Sequence, residues 1–293
     1  MATRELPLRH AVALGLLHGP TELLPISSSG HTTLVPWLAG WPYTELDPGL
    51  RKSFEVALHA GTAAALLVRP PAGTRGGQPW SGGEDRLPRR LSAKLGLLTP
   101  ALVPPALAGY ALGERIERRL GTPPAIAAGL IAGAGAMIAA ELGAHGRGRA
   151  SGGLDAGRDG ARSPADADAR DGFALGLAQA LALMPGVSRS GATLATARAR
   201  GFSRRDCDRL SWAVGLPVIA GAALLKGTQL AREGTPRALR LPLVAGAASA
   251  FLSTLASTKV LNPERRAQLL PACAVYRGAL AMLVIRRMRD NTS

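Results

Sequence analysis

Two short polar turns carry the residue types in this chain that could do chemistry. The first is Leu24–His31, with the sequence LPISSSGH, and the second is Met184–Gly191, with the sequence MPGVSRSG. Because proline cannot continue a helix and serine caps the start of the next one, each turn predicts a helix stop followed by a helix start. In a bilayer such broken helices survive where protein or a water-filled cavity satisfies the backbone, and they commonly mark a binding site.

Titratable side chains lie beside these turns, where hydrocarbon would make them costly. His18 and Glu22 are four residues apart and share one helical face, and Arg189 lies within the second turn. Arginine can bind phosphate oxygens through two nitrogens, and serine-capped helix starts expected at Ser29 and Ser190 would point N–H groups at the same place. These residues predict an anion site. A purely structural ion pair between Glu22 and Arg189 is the alternative.

The composition indicates a polytopic membrane protein. The 293 residues are 47% hydrophobic and only 19% charged. Long runs without charge approach the roughly 20 residues needed to cross about 30 Å of hydrocarbon. They occur near residues 95–113, 121–140, 210–225 and 241–258. Alanine and glycine fill these runs, which fits close packing of membrane helices.

The formal net charge of +15 raises the question of a nucleic-acid partner. The 35 lysines and arginines are scattered through loops without interleaved aromatic residues. We therefore expect no nucleic acid, and we expect these side chains to orient the chain and to contact membrane lipids. Cys207 and Cys273 have no spacing typical of zinc or redox sites.

The two turns divide the chain into two similar units. We predict repeat 1 at residues 1–142, a flexible linker at 143–171 and repeat 2 at 172–293. Each repeat would contain a re-entrant helical hairpin, at about 8–41 and 172–200, followed by three transmembrane helices. These six crossings are predicted near residues 54–68, 95–113, 122–142, 210–226, 240–258 and 269–287. Because three is odd, the second repeat would be inverted, and the hairpin tips would meet near the midplane. The predicted fold is thus an all-α polytopic membrane protein with an inverted repeat.

Glu22–His31 and Pro185–Thr193 closely resemble the bacitracin-resistance type of undecaprenyl-diphosphate phosphatase. The resemblance covers nearly the whole chain, including Phe173–Ala180, Leu216–Ala222 and the pair Tyr276-Arg277. It implies a multi-pass enzyme of the bacterial plasma membrane. Such an enzyme hydrolyses undecaprenyl diphosphate to the monophosphate, recycles the lipid carrier of peptidoglycan synthesis and confers bacitracin resistance.

Carried over by position, the resemblance also implies roles for the polar residues. Arg189 would bind the diphosphate, Ser28 or a water it orients would attack the terminal phosphorus, and His31 would move the proton. Ser28 and His31 both stay open as the nucleophile. Glu22 would hold a divalent cation, Mg²⁺ or Mn²⁺, or orient the base. Further hydroxyls would donate hydrogen bonds to phosphate oxygens, and these belong to Ser27, Ser29, Ser188, Ser190 and Thr193.

One position departs from the family pattern. The family usually has a second carboxylate four residues before Glu22, and here that residue is His18. A metal site made of Glu22 and His18 loses one negative charge and gains a nitrogen. Mg²⁺ prefers hard oxygen ligands, so this donor pair suits Mn²⁺ or Zn²⁺ better.

Two other functions stay open at this level. Inverted repeats with broken helices are also a transporter architecture, so a polyprenyl-phosphate flippase is one alternative. A homologue that binds lipid diphosphate but hydrolyses it weakly is the other, because of His18. A hydroxyl and an imidazole three residues apart, at Ser28 and His31, favour hydrolysis. The sequence also leaves open whether the protein is a homodimer.

Overall fold

The computed structural model describes residues 6–70, 87–150, 162–233, 237–261 and 263–290, and this part of the chain is built from helices. Ten α-helices lie within it, in the order α1 Leu8–Leu23, α2 Ser28–Ala39, α3 Pro48–Val68, α4 Leu87–Leu120, α5 Pro123–Ala150, α6 Ala169–Leu181, α7 Arg189–Ala199, α8 Arg204–Glu233, α9 Arg237–Val260 and α10 Pro263–Asp290. Short 3-10 turns at Pro42–Glu45 and Pro164–Asp166 precede α3 and α6.

Five helices in the described ranges are long and apolar enough to cross a membrane, namely α4, α5, α8, α9 and α10. The prediction of an all-helical polytopic membrane protein is therefore confirmed. The remaining predicted crossing, residues 54–68, lies within α3, which is 21 residues long. It is not among the five candidates. Its first two turns carry Arg51, Lys52 and Glu55, which lower the apolar character of the helix.

The predicted linker at 143–171 is helical at both of its ends. Helix α5 continues to Ala150, and α6 begins at Ala169. Residues 151–161 lie outside the described part of the chain, so the prediction of flexibility there stays a prediction. Between them and α6, Ser163 caps a 3-10 turn, and Arg162 forms a bridge with Phe202 after α7.

Asp171 fixes the start of the second helical hairpin. Its side chain is fully buried, and it accepts hydrogen bonds of 2.6 Å from Nη2 of Arg162 and from Nε of Arg200. Burial by itself raises the pKa of this carboxyl, but hydrogen bonds from Arg162, the Asp168 amide and Arg200 lower it to about 2. The residues before α6 are thereby tied to the end of α7.

Asp171→Asn is expected to lower the melting temperature of the detergent-solubilised protein near neutral pH, because two arginines lose their charged partner. Since the folded-state pKa of about 2 lies below the ordinary 3.8, the stabilisation is present above the ordinary pKa and is lost as the pH falls through the folded value. The melting temperatures of wild type and variant should therefore converge between about pH 4 and about pH 2. A difference that stays constant over this range would contradict the assignment.

Some of the main helix contacts have a counterpart when α1–α5 are matched in chain order with α6–α10. Helix α1 packs against α9 as α6 packs against α4, while α5 packs against α10 and α3 against α8. Glycines allow the contacts of α1 with α9 and of α6 with α4. A Cβ at Gly15 would lie 2.5 Å from the carbonyl oxygen of Gly246, and a Cβ at Gly176 would lie 2.6 Å from that of Pro100. Both contacts are therefore close approaches of two helix backbones at a small residue.

Candidate active site

The two polar turns share one unusual backbone feature. Ser27 has φ 75° and Ser188 has φ 68°, and they are the non-glycine residues with positive φ within the described ranges. Each serine side chain accepts a 3.3 Å hydrogen bond from a glycine N–H three residues later, Gly30 and Gly191 respectively. Such a conformation costs roughly 1–3 kcal/mol for a residue with a side chain, so it persists where the surroundings enforce it.

The helix caps differ from those predicted. Ser27 and Ser188 are the N-caps of α2 and α7, so the prediction of capped starts at Ser29 and Ser190 is wrong by two residues. The positive φ of the cap serines explains this, because it turns the chain earlier. Ser29 and Ser190 lie in the first turn of each helix, with hydroxyls 3.4 Å and 3.3 Å from the cap hydroxyls. Ser190 also donates to the carbonyl of Leu24, which links the two turns.

The carboxylate of Glu22 joins side chains from both halves of the chain. Its Oε2 accepts a 2.6 Å hydrogen bond from the hydroxyl of Ser28. Its Oε1 lies 3.3 Å from Nη2 of Arg189, although the two residues are 167 positions apart. Glu22 and Ser28 are buried. The structure thus brings Glu22, Ser28 and Arg189 into contact, and it contains the ion pair of the structural alternative.

Arg189 keeps part of its hydrogen-bonding capacity free of protein partners. Its Nη1 is buried and has no hydrogen-bond partner in the described structure. The guanidinium lies over the ring of Trp212 at 5.6 Å, and its Nη1 rests against Gly215 of α8. A guanidinium has five N–H donors, so this one can still bind an anion while it contacts Glu22.

His31 is held through both of its ring nitrogens. Nδ1 lies 2.7 Å from the carbonyl oxygen of Ser27, and Nε2 lies 2.7 Å from the hydroxyl of Tyr276. Because a carbonyl only accepts, Nδ1 carries the proton, and in the neutral ring Nε2 offers the lone pair. The group in hydrogen-bond contact with Ser28 is Glu22, whereas the sequence analysis assigned movement of the proton to His31.

Arg277, on α10, connects the two turns. It is fully buried, and it donates hydrogen bonds of 3.0 Å to the carbonyl of Pro25 and 2.8 Å to those of Gly186 and Val187. Its remaining contacts are to carbonyls of α5. The sequence analysis gave Tyr276 and Arg277 no role. A charged residue inside the last apolar run was the available signal.

Thr193 lies in the contact between α7 and α8. Its hydroxyl is fully buried and lies 2.6 Å from that of Ser211. It also donates to the backbone of its own helix. These contacts occupy the hydroxyl that the sequence analysis expected to donate a hydrogen bond to a phosphate oxygen.

The predicted metal pair, His18 and Glu22, has a third neighbour in His59. One potential ligand atom from each of the three residues lies within 4.8 Å of the others. His59 lies on α3, far from either turn in sequence and outside any motif, and the sequence analysis therefore missed it.

Gly215→Ala is expected to lower activity while the protein still folds. A Cβ at this position would overlap Nη1 of Arg189, and the flexible arginine would move to avoid it. A displacement of about 1 Å at a positioning group costs on the order of 100-fold in rate. Gly221→Ala on the same helix is the matched control, because a Cβ there meets nothing within 4 Å. Equal rates of phosphate release in the two variants would contradict the placement of Arg189.

Comparisons of the sequence with known proteins identify the family of this chain. Residues 11–283 match the family described as bacitracin resistance protein BacA. An undecaprenyl-diphosphatase of Geobacter metallireducens is 37% identical over 274 residues, which are 89% of this chain and 91% of the relative. One from Thermomicrobium roseum is 35% identical over 94% of this chain and 96% of its own. One from Trichlorobacter lovleyi is 39% identical over 82% of each. The chain therefore belongs to the bacitracin resistance protein BacA family.

Proposed function

We propose that this protein is a membrane phosphatase that hydrolyses undecaprenyl diphosphate to undecaprenyl phosphate and phosphate. The observation that carries the proposal is the Glu22 carboxylate, which holds a hydroxyl, Ser28, and a cation, Arg189, from the two halves of the chain. A nucleophile, a base and an anion-binding group then share one buried place. Relatives bearing the name undecaprenyl-diphosphatase, as well as family membership, support the same activity.

We also propose that α1–α2 and α6–α7 are re-entrant hairpins within an inverted repeat. Their helices have 16, 12, 13 and 11 residues. At 1.5 Å per residue they are shorter than the roughly 30 Å of a hydrocarbon core. The matching contacts of the two halves support the repeat. Each half would then contribute three further helices, and the turns would meet inside the membrane.

The diphosphate would bind where the two turns converge. The free Nη1 of Arg189 would donate to the terminal phosphate. The first turns of α2 and α7 offer backbone N–H groups and the hydroxyls of Ser29 and Ser190, which favour an anion. The prenyl chain would lie among the membrane lipids, against the apolar surface of the helices.

Ser28 is the attacking group that the geometry favours. Its hydroxyl is 2.6 Å from Glu22, which would take the proton as Oγ forms a bond to the terminal phosphorus. The bond to the bridging oxygen would break, and undecaprenyl phosphate would leave. Water, activated by Glu22 or by Nε2 of His31, would then release phosphate from the serine. Direct attack by Nε2 of His31 is the alternative, and it would require Tyr276 to move from that nitrogen.

A divalent cation, Mg²⁺ or Mn²⁺, fits beside this site. His18 is fully buried, and its Nε2 has no hydrogen-bond partner in the described structure. Together with the carboxylate of Glu22, this nitrogen would hold the cation. Such a cation would neutralise charge on the diphosphate. Glu22 can contact Ser28, Arg189 and a cation together, since a carboxylate offers about four lone-pair sites.

The direct test is release of inorganic phosphate from a prenyl diphosphate by the purified protein in detergent. We expect turnover that is abolished by removal of Glu22. Binding of the lipid without phosphate release would contradict the phosphatase. Transport of the bound lipid between leaflets of a reconstituted vesicle would then favour the flippase.

A further inference from the structure

The cluster of His18, Glu22 and His59 lies outside the two polar turns and is built from two helices. His18 and Glu22 lie on one face of α1, and His59 lies on α3. The rings of His18 and His59 meet edge to face, with centroids 4.6 Å apart. The candidate ligand atoms of the three residues lie within 4.8 Å of one another. Two imidazoles and one carboxylate thus face a common point.

A chain of hydroxyls fixes the proton on His18. The hydroxyl of Thr254 donates to the carbonyl of Ala250, so it accepts the proton of Thr62, which lies 3.2 Å away. Thr62 has then used its proton, and its oxygen accepts from Nδ1 of His18 at 2.9 Å. The neutral ring consequently carries its lone pair on Nε2, and this is the atom without a partner.

His59 is oriented in the same manner. Its Nδ1 lies 2.8 Å from the carbonyl of Glu55 and must donate to it. Its Nε2 therefore also offers a lone pair. Metal-binding histidines typically donate the other ring N–H to a carbonyl, hydroxyl or carboxylate, which sets the tautomer and the ring direction. Both rings of the cluster have this arrangement.

We propose that His59 completes a three-ligand site with His18 and Glu22, and that this site binds a divalent transition metal such as Mn²⁺ or Zn²⁺ in preference to Mg²⁺. The role of this three-ligand site in turnover rests on the proposed phosphatase function, whereas metal binding by the site does not. Imidazole nitrogens suit the transition metals, whereas Mg²⁺ prefers oxygen ligands in octahedral geometry. The metal would also satisfy a buried nitrogen that is otherwise costly to leave unpaired. His59 is only half-buried, so one side of the cluster is not covered by protein.

The experiment measures binding of Mn²⁺ alone to the purified full chain in detergent, without a polyhistidine tag, by electron paramagnetic resonance. We expect one tightly bound Mn²⁺ per chain, displaced by Zn²⁺ and not by an equal concentration of Mg²⁺. His59→Ala should weaken binding by at least about 100-fold, because a direct ligand is lost. His59→Gln keeps most of the volume and should behave in the same way. His145→Ala is the matched control, because His145 is an exposed histidine that lies 4.0 Å from Glu141 and, among the described residues, belongs to no group of three metal-binding side chains.

A second measurement needs no variant. Pulsed resonance spectra of the Mn²⁺-bound wild type should show coupling to directly bonded imidazole nitrogen. Absence of this coupling, or equal Mn²⁺ affinity in wild type and His59→Gln, would overturn the proposal. Phosphate release measured on the same samples separates the two claims. A wild type that binds Mn²⁺ through His59 and hydrolyses no prenyl diphosphate would overturn the phosphatase and support the metal site.

Discussion

Arg189→Lys is expected to reduce phosphate release from a prenyl diphosphate by at least about 100-fold, while the protein still folds. Lysine keeps the charge beside Glu22, so the ion pair between the two halves can persist. It loses the planar set of donors, including Nη1, which the protein leaves without a partner. It also loses the flat contact with the ring of Trp212. Steady-state phosphate release and the melting temperature, measured on the same preparation, test this.

Arg118→Lys is the control for that experiment. Arg118 forms an exposed ion pair with Glu114 on α4, and its replacement should leave the rate unchanged. If Arg189 serves only as the structural partner of Glu22, lysine should suffice there as well. Near wild-type turnover in Arg189→Lys would therefore favour the structural alternative and remove the main support for a phosphate site at the turns.

Ser28→Ala is expected to abolish phosphate release and to leave binding of a non-hydrolysable diphosphate analogue nearly unchanged. The substitution removes the hydroxyl next to Glu22 but leaves the guanidinium of Arg189 in place. Turnover should fall by several orders of magnitude, as is usual when a covalent nucleophile is lost. Phosphate release and analogue binding are measured separately. In a carrier, the Ser28→Ala substitution would leave both binding of the analogue and transport of the lipid unchanged.

His31→Ala provides the comparison that identifies the nucleophile. Quenching the wild type during turnover with a denaturing detergent at neutral pH should trap a phosphoenzyme. Later acid treatment should leave the phosphate bound if it is a phosphoserine at Ser28, and should release it if it is a phosphohistidine at His31. Cells that overproduce the wild type should tolerate bacitracin better than cells that overproduce either variant. Equal tolerance in all three strains would contradict hydrolysis as the cause and favour sequestration of the lipid.

The sequence could predict the parts of the site that lie close together along the chain. Proline, serine and glycine at fixed spacing locate both turns, and Glu22 and Arg189 stand out because charge is costly in apolar surroundings. Local rules predict where a helix stops more reliably than they predict its cap. The positive φ of Ser27 and Ser188 is rare for a residue with a side chain and is not predictable from residue type, which explains why the caps were placed two residues late.

The remaining parts of the site come from helices with no local signal of chemistry. His59 is one histidine on a helix between apolar residues, and Gly215 is one glycine among many. Their importance depends on which side chain each meets, and this follows from packing between helices that are distant in sequence. The contact between Tyr276 and His31, at a separation of 245 positions, is of the same kind.

Arg277 has a consequence for how the protein is made. The carbonyls of Pro25 and Gly186 lie in the interior, and both take their donor from this one side chain on α10. During synthesis α10 is the last of the ten described helices to leave the ribosome. Until it packs against them, these carbonyls lack that donor, which is costly for buried polar groups. The active site therefore assembles at the end of translation, and a nascent chain lacking α10 would hold two incomplete halves of one centre.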